Sequence, residues 1–168
     1  MPRESGGRAR LGAVPIARAL AAVGQDSKKP FTMRTQPGRF RIQKTVYLLR
    51  HTGYPPAQSY SFGLYHMGPY SSELAAAYYA LNDEGLREAS SQPARDIPEP
   101  TRLILREALQ RSNPFLEGLT TFLDVRGACR DEGAAWRQAR SIKPHLTPEV
   151  WEEVRGFLTA HPGLIKPI

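Results

Sequence analysis

The side chains that most often carry chemistry are few in this chain, and their spacing joins them into no reactive cluster. The four histidines are His51, His66, His145 and His161, and none of them forms an HxxxH or HExxH pair. The single cysteine, Cys129, has no CxxC partner. Zinc sites are usually built from such closely spaced pairs, so these spacings argue against a bound metal.

Cys129 is also a poor candidate for a nucleophile. Three carboxylates, those of Asp124, Asp131 and Glu132, lie nearby in sequence, but a reactive thiol needs a positioned base and no sequence feature supplies one. We therefore interpret Cys129 as a structural cysteine. The chain has no Walker loop, GxGxxG fingerprint or GxSxG elbow. We expect a protein that is not an enzyme and that uses no metal and no cofactor.

Cysteine usage and hydropathy also predict the cellular compartment of the protein. A single cysteine allows no intrachain disulfide, which is typical of a reducing compartment. The mildly apolar stretch near the N-terminus is broken by Pro15 and Arg18, so we do not interpret it as a signal peptide. No apolar run reaches the roughly 18 residues of a membrane span. These features predict a cytoplasmic protein without a membrane partner.

Charge is distributed very unevenly along the chain. Residues 1–56 contain eleven lysines and arginines against two acids, a net charge of +9, whereas residues 57–168 have a net charge of −2. Such a basic block favours a polyanionic partner, because each phosphate that is neutralised releases counterions. A solvated basic N-terminus that only aids solubility is an equally good interpretation. Residues 1–10, which are charged and rich in glycine, are expected to be disordered.

The strongest helical pattern lies within this basic block, at residues 39–51, after a short helix predicted at 11–23. Ile42, Val46 and Leu49 recur at helical spacing on one face. Basic side chains flank that face and are the candidate phosphate contacts on this helix: Arg39, Arg41, Lys44 and Arg50. The basic loop before the helix adds three more candidates, Lys28, Lys29 and Arg34.

A strand and a second helix follow. Alternation over residues 59–66 predicts a strand with one buried face, and Gly68-Pro69 predicts a turn. Ser71 or Ser72 then caps a helix that we expect to end at Gly85, with a short strand or wing after it. The backbone N–H groups at this helix start could hold an anion or a partner through Tyr70, Ser71 and Ser72. Plain helix capping is the simpler explanation for the serines, and packing on Phe62 is the alternative for Tyr70.

One feature of this second helix argues against a simple helix-turn-helix. Recognition helices usually present Arg, Lys, Asn or Gln to base edges. Residues 71–84 contain no lysine or arginine but do contain Glu73, Asp83 and Glu84, which phosphates would repel. DNA binding would therefore depend on helix 39–51 and the N-terminal arm.

The rest of the chain is predicted to be helical after a proline-rich linker at residues 91–100. Helices are expected at 101–111, 114–130, 131–142 and 148–160, the last one with Thr147-Pro148-Glu149 as its cap. Four aromatic side chains in these helices are interpreted as core rather than as a ligand cage: Phe115, Phe122, Trp136 and Trp151.

Two segments resemble a known family. GRFRIQKTVYLL (38–49) and YSFGLYHMGPYSSELAAAYYAL (60–81) resemble, in this order, the motifs of the YwgA-like family, which is distantly similar to SocA-like (Panacea) antitoxin domains. The segment 136–158 resembles the family more weakly, and His66-Met67 departs from its pattern. The resemblance implies a winged-helix-like N-terminal part and a helical C-terminal part. Antitoxin-type relatives imply protein contacts, and winged-helix relatives imply DNA contacts.

These observations predict an α+β, mostly helical protein in four parts. They are a basic arm with a short helix (1–37), a winged-helix-like module (38–90), a linker (91–100) and a helical part (101–168). The first functional hypothesis is a winged-helix-like nucleic-acid-binding protein, acting as a regulator or as an accessory subunit of a mobile-element or defence system. The second is a protein-interaction module, such as an antitoxin-like neutraliser or a complex subunit. A homodimer fits either hypothesis.

Overall fold

A computed structural model describes residues 3–24 and 31–165 of the chain. Seven α-helices and one two-stranded antiparallel sheet make up this part, so the expected mostly helical α+β class is confirmed. The helices are α1 (Arg3–Gly24), α2 (Gln36–His51), α3 (Ser72–Ser90), α4 (Glu99–Gln110), α5 (Asn113–Arg126), α6 (Glu132–Ile142) and α7 (Pro148–Ala160). The strands are β1 (Gly63–Tyr65) and β2 (Gly68–Tyr70), and short 3-10 turns span Pro55–Ala57 and Pro162–Leu164.

Helix α5 organises the core, because it contacts α2, α6, α7 and β2. Its ends are defined locally: the Ser112 side chain caps the first turn by accepting from the Phe115 N–H. Its aromatic residues pack against α6 and α7. The Phe122 and Trp136 rings stack 3.9 Å apart, and the Phe115 and Phe157 rings meet edge to face at 5.3 Å. The expected aromatic core is confirmed, since all four predicted side chains are buried.

Helices α1 and α3 form the other side of the molecule and pack against each other over much of their length. Both present small side chains to the core, among them Ala13 and Ala17 of α1 and Ala77 of α3. The larger Leu20 and Leu81 fill the remaining space. The apolar cluster is continuous from α1 to α7, so the described elements share one core.

Three predicted boundaries are wrong. Helix α1 begins at Arg3 rather than near residue 11, so residues 3–10 are helical instead of disordered as expected; extending an existing helix is inexpensive once its nucleus has formed. The expected strand over 59–66 is only three residues long, and Gly68-Pro69 lies in β2, so that His66-Met67 forms the turn. Residues 86–90, expected to be a strand or wing, remain helical.

The continuation of α3 has a local cause at Asn82. This residue has a φ of 59° and a ψ of 177°, which breaks the helix, and its side-chain oxygen accepts from the Gly85 N–H at 3.1 Å. Asn82 thus caps a new helical segment immediately after the break. Gly85, expected to end the helix, lies inside that segment.

The proline-rich segment between α3 and α4 is held to the rest of the molecule. The Ala94 N–H donates to the Arg18 carbonyl at 2.9 Å, and the Tyr54 hydroxyl donates to Asp96 at 3.1 Å. Ile97 is buried in the core. Within the described ranges, no helix combines the length and hydropathy that crossing a bilayer requires.

The kink predicts a measurable loss of stability on substitution. Asn82→Ala removes the capping oxygen. It also places alanine at a positive φ, a conformation that asparagine adopts more readily. We expect the free energy of unfolding to fall by about 1–3 kcal/mol. Glu88→Ala, an exposed change in the same helix, is the control and should change it by less than about 0.5 kcal/mol. Urea denaturation followed by circular dichroism measures both, and equal values for the two variants would contradict the capping role.

Candidate functional site

Two of the predicted phosphate contacts lie inside the protein. Arg41 and Lys44 are each only 2% exposed, because α5 and the hairpin cover the flank of α2 that carries them. The Arg41 guanidinium donates to the Leu109 carbonyl and to the Asn113 side chain. Arg41 and Lys44, predicted as phosphate contacts flanking the apolar face, are therefore closed off from the surface in this structure. The spacing that places them beside the apolar stripe also places them within reach of the core.

The other predicted basic contacts differ in exposure. Arg34 is exposed, and its Nε lies 3.2 Å from an Asp83 carboxylate oxygen. Arg39 is half-buried and donates through Nη1 to the Met33 carbonyl at 2.6 Å. Arg50 is also half-buried, and its charge acts on Asp124. Lys28 and Lys29 lie outside the described residues.

The hairpin of β1 and β2 is held by long polar side chains from the helices. The Lys44 Nζ donates to the Pro69 carbonyl at 2.6 Å, and the Lys143 Nζ donates to the Tyr65 and His66 carbonyls. The Gln43 amide forms two hydrogen bonds with Ser71, one to its N–H and one to its carbonyl, both at 2.9 Å. These side chains satisfy backbone groups of the hairpin and of the residue that follows it.

The buried lysines belong to a cluster of charges beneath the hairpin. Glu117 of α5 is buried, and its Oε1 lies 3.5 Å from the Lys143 Nζ and 2.9 Å from the His145 Nε2. Burial lowers the pKa of Lys44 to about 7 because water no longer solvates the ammonium. Glu117 and Asp124 oppose this shift, whereas the like charge of Lys143 reinforces it.

Gly68 lets the hairpin approach the helices closely. Its φ is +91°, a conformation that favours glycine, and a Cβ there would lie 3.1 Å from the Thr121 Oγ1 and 3.2 Å from the Lys44 Nζ. A side chain at this position would therefore push the hairpin away from α2 and α5. The position of the hairpin, and of every residue on it, depends on this contact.

A groove of about 340 Å³ lies beside the hairpin, bounded by α2, the hairpin and α3. Four large side chains that line it are also exposed, and we call them the aromatic patch: Tyr65, Met67, Tyr70 and Tyr79. Tyr65 and Tyr79 are the most open, at 61% and 55% exposure. The Tyr65 and Tyr70 rings meet edge to face at 5.5 Å. A groove of this size, apolar with a few polar groups, suits binding.

The three residues predicted as a contact at the start of α3 differ in their exposure. Ser71 is only 1% exposed and accepts from the Leu74 N–H, so it caps the helix and presents no contact to a partner. Ser72 is exposed, and Tyr70 opens onto the groove. A Glu73 carboxylate oxygen accepts from the Ser61 N–H beside the same helix start, and its charge opposes an anion there.

Sequence reasoning missed the rest of the site. Tyr65 and Tyr79 were not singled out, although both lie in the family-like segment 60–81, and Met67 was noted only as a departure from the family pattern. Lys143 and Glu117 had no detectable signal, because Lys143 reaches the hairpin only through tertiary packing with a residue 78 positions away, and Glu117 joins the site through its ion pair with Lys143. In the described part of the chain no group of three or more His, Cys, Asp or Glu side chains is arranged to hold a metal ion.

Gly68→Ala should be more destabilising than Gly53→Ala. Both glycines have a φ near +90°, so both alanines incur a backbone cost of about 1–2 kcal/mol. Only at position 68 does the new Cβ meet neighbouring atoms, since it meets nothing within 4 Å at position 53. We expect the Gly68→Ala loss to exceed the Gly53→Ala loss by about 1–3 kcal/mol in urea denaturation. Equal losses would show that the close approach is unimportant.

Stability should rise with pH above neutrality because of Lys44. The unfolded chain holds this proton up to an ordinary pKa of 10.5, whereas the folded chain releases it near pH 7. Between about pH 7 and pH 10 the unfolded state binds more protons, so the free energy of unfolding increases, by up to ~1.4 kcal/mol per pH unit. Above about pH 10 the buried Tyr47, whose pKa is raised by burial, reverses the trend.

Lys44→Met tests this pH dependence because it keeps the length of the side chain and removes the titrating amine. Denaturant melts of both proteins across this pH range should show the rise in the wild type and a flatter profile in the variant. The difference in slope, rather than the absolute stability, is the measurement. Parallel profiles would mean that another group titrates.

Comparisons with known proteins leave the site to be interpreted from its own geometry. No family model matches the chain. No curated protein and no solved structure matches it either. The hairpin, the groove and the charges around them are therefore the features from which function is inferred.

Proposed function

We propose that this chain is a protein-interaction module that binds a segment of a partner protein in the groove beside the hairpin. The observation that carries the proposal is the aromatic patch, with Tyr65 and Tyr79 more than half exposed on one groove. Tyrosine is enriched among the residues that contribute most to protein binding. It offers a large contact area and loses little rotamer entropy when it is bound.

The anchoring of the hairpin supports the same function. Lys44 and Lys143 hold its backbone from inside the protein, so the patch residues on β1 and β2 are positioned before any partner arrives. Preorganisation of this kind lowers the entropy cost of association. Segments 38–49 and 60–81 resemble motifs of the YwgA-like family, which is distantly similar to SocA-like (Panacea) antitoxin domains, and antitoxin-type relatives imply protein contacts of this class.

A second function, nucleic-acid binding by a winged-helix-like module, is supported by charge. The first 56 residues have a net charge of +9, and Arg8, Arg10, Arg18 and Arg34 are exposed. We place it second for two reasons. Arg41 and Lys44 are buried on internal carbonyls, and the hairpin precedes α3 instead of following it as a wing would.

Peptide selection tests the proposed function directly. Random peptides displayed on phage are panned against the full chain, and the selected peptides are synthesised and titrated. We expect binding that weakens at least tenfold, or ~1.4 kcal/mol, when Tyr65 and Tyr79 are both replaced by alanine, because truncation removes the contact area of both rings. Leu103→Ala, at a similarly exposed apolar residue on α4, is the control and should leave affinity unchanged.

The same proteins separate the two functions. If no peptide is enriched, or if the enriched peptides bind the Tyr65/Tyr79 variant as well as the wild type, the proposed function is wrong. Binding to random duplex DNA is then measured across a salt series. A linear decrease of log K with log salt, with a slope near −0.9 per phosphate contact, would support the nucleic-acid function instead.

A further inference from the structure

The charges around the groove indicate what kind of segment it accepts. Two cationic side chains, Arg39 and Lys44, are among the residues that line it, together with the neutral amides of Gln36 and Gln43. Among the described residues, no aspartate or glutamate lines the groove. Neither Arg39 nor Lys44 forms an ion pair within the described part of the chain. Arg39 therefore has no carboxylate partner within the described residues, whereas Glu117 and Asp124 stabilise the charged form of Lys44.

Two nearby carboxylates are already engaged with other groups. Asp83 accepts from the Met33 N–H and pairs with Arg34. Glu117 is held by Lys143 and His145 below the hairpin. An external carboxylate is thus the partner that Arg39 lacks among the described residues.

We propose that the partner segment is acidic, with a carboxylate side chain seated against Arg39 and an adjacent apolar or aromatic side chain lying on the aromatic patch. This inference rests on the proposed function and specifies the partner for the same groove. Arg39 suits the role because the Met33 carbonyl already holds its Nη1, which fixes the direction of the guanidinium. Arginine can then pair with a carboxylate through its planar fork at little further entropy cost.

Lys44 adds to the same preference from the floor of the groove. Its buried ammonium is poorly solvated, and burial lowers its pKa to about 7. The charged groups that act on it are Glu117 and Asp124 of α5 and Lys143 at the end of α6. An incoming carboxylate would stabilise the charged amine, so binding above neutral pH should be accompanied by uptake of a proton.

A nucleic acid fits this groove less well than an acidic peptide. A nucleic-acid strand would place several phosphates along the surface, and the adjoining middle of α3 carries Asp83 and Glu84 near Tyr79. These acids tolerate a single carboxylate at Arg39, since Arg34 neutralises Asp83. They oppose a longer run of phosphates.

The peptides selected on the full chain test the inference. We expect the enriched sequences to share an aspartate or glutamate next to an apolar or aromatic residue. Replacing that acid by its amide should weaken binding at least tenfold, because the ion pair with Arg39 is lost. Arg39→Glu should weaken the acidic peptide by at least the same factor, whereas Arg95→Glu, at an exposed arginine between α3 and α4, should change affinity less than twofold.

Charge reversal on both sides shows whether the contact is direct. A peptide with lysine in place of the acid should bind Arg39→Glu better than it binds the wild type. Arg39→Gln provides the same comparison against the amide peptide if Arg39→Glu does not fold. Enriched peptides that are neutral or basic, or acidic peptides that are insensitive to both Arg39 variants, would overturn the inference and leave the proposed function standing. Failure to enrich any groove-binding peptide would overturn both.

Discussion

Two ammonium groups donate to the backbone of a two-stranded hairpin from inside the protein, and the candidate site depends on this arrangement. Strands of three residues cannot stabilise themselves in water, and within the described residues this sheet has two strands. Lys44 and Lys143 add support by donating to the carbonyls of Pro69, Tyr65 and His66, in and beside the turn. The long side chain of lysine reaches across the gap between helix and hairpin, which a shorter donor would not.

This arrangement has an electrostatic consequence. Two cations beneath one short hairpin need a negative charge nearby, because an unpaired buried charge is costly. Glu117 supplies that charge to Lys143, and Glu117 and Asp124 also stabilise the charged form of Lys44, whose Nζ donates to a carbonyl and lies 5.0 Å from the centre of the Phe40 ring. Burial still lowers the pKa of Lys44 to about 7, so this lysine gives the groove a partial positive charge near neutral pH, to which Arg39 adds. The lysine that supports the hairpin thus also contributes to the charge of the groove.

The tertiary structure changes which charges of the basic block and of the acidic second helix are accessible. Counted along the chain, the arginines and lysines of residues 34–50 suggest one cationic surface. In the fold, Arg41 and Lys44 are buried and donate to backbone carbonyls, and Arg34 is paired with Asp83 of α3. What remains accessible is a smaller cationic area beside exposed tyrosines. This combination suits a protein segment with one or two carboxylates better than a phosphate backbone.

Much of the helical architecture could be predicted from local signals. Ser112, Asp131 and Thr147 cap their helices as their residue types suggest, and the aromatic periodicity of α5 to α7 identified the core correctly. Predictions failed where one residue decides the local conformation. Asn82 breaks and restarts α3, and it can do so because its side chain replaces a backbone acceptor at the break. No hydropathy pattern contains that information.

The sequence by itself determined the helical periodicity, the caps, the uneven charge and the scarcity of reactive side chains, because each of these is a property of neighbouring residues. Only the tertiary structure decided which basic side chains face water and which face the hairpin. Arg39 and Arg41 are two positions apart on one helix, yet one lines the groove and the other is buried against α4 and α5. Burial depends on what packs against each side of a helix, and for α2 the packing partners come from distant parts of the chain.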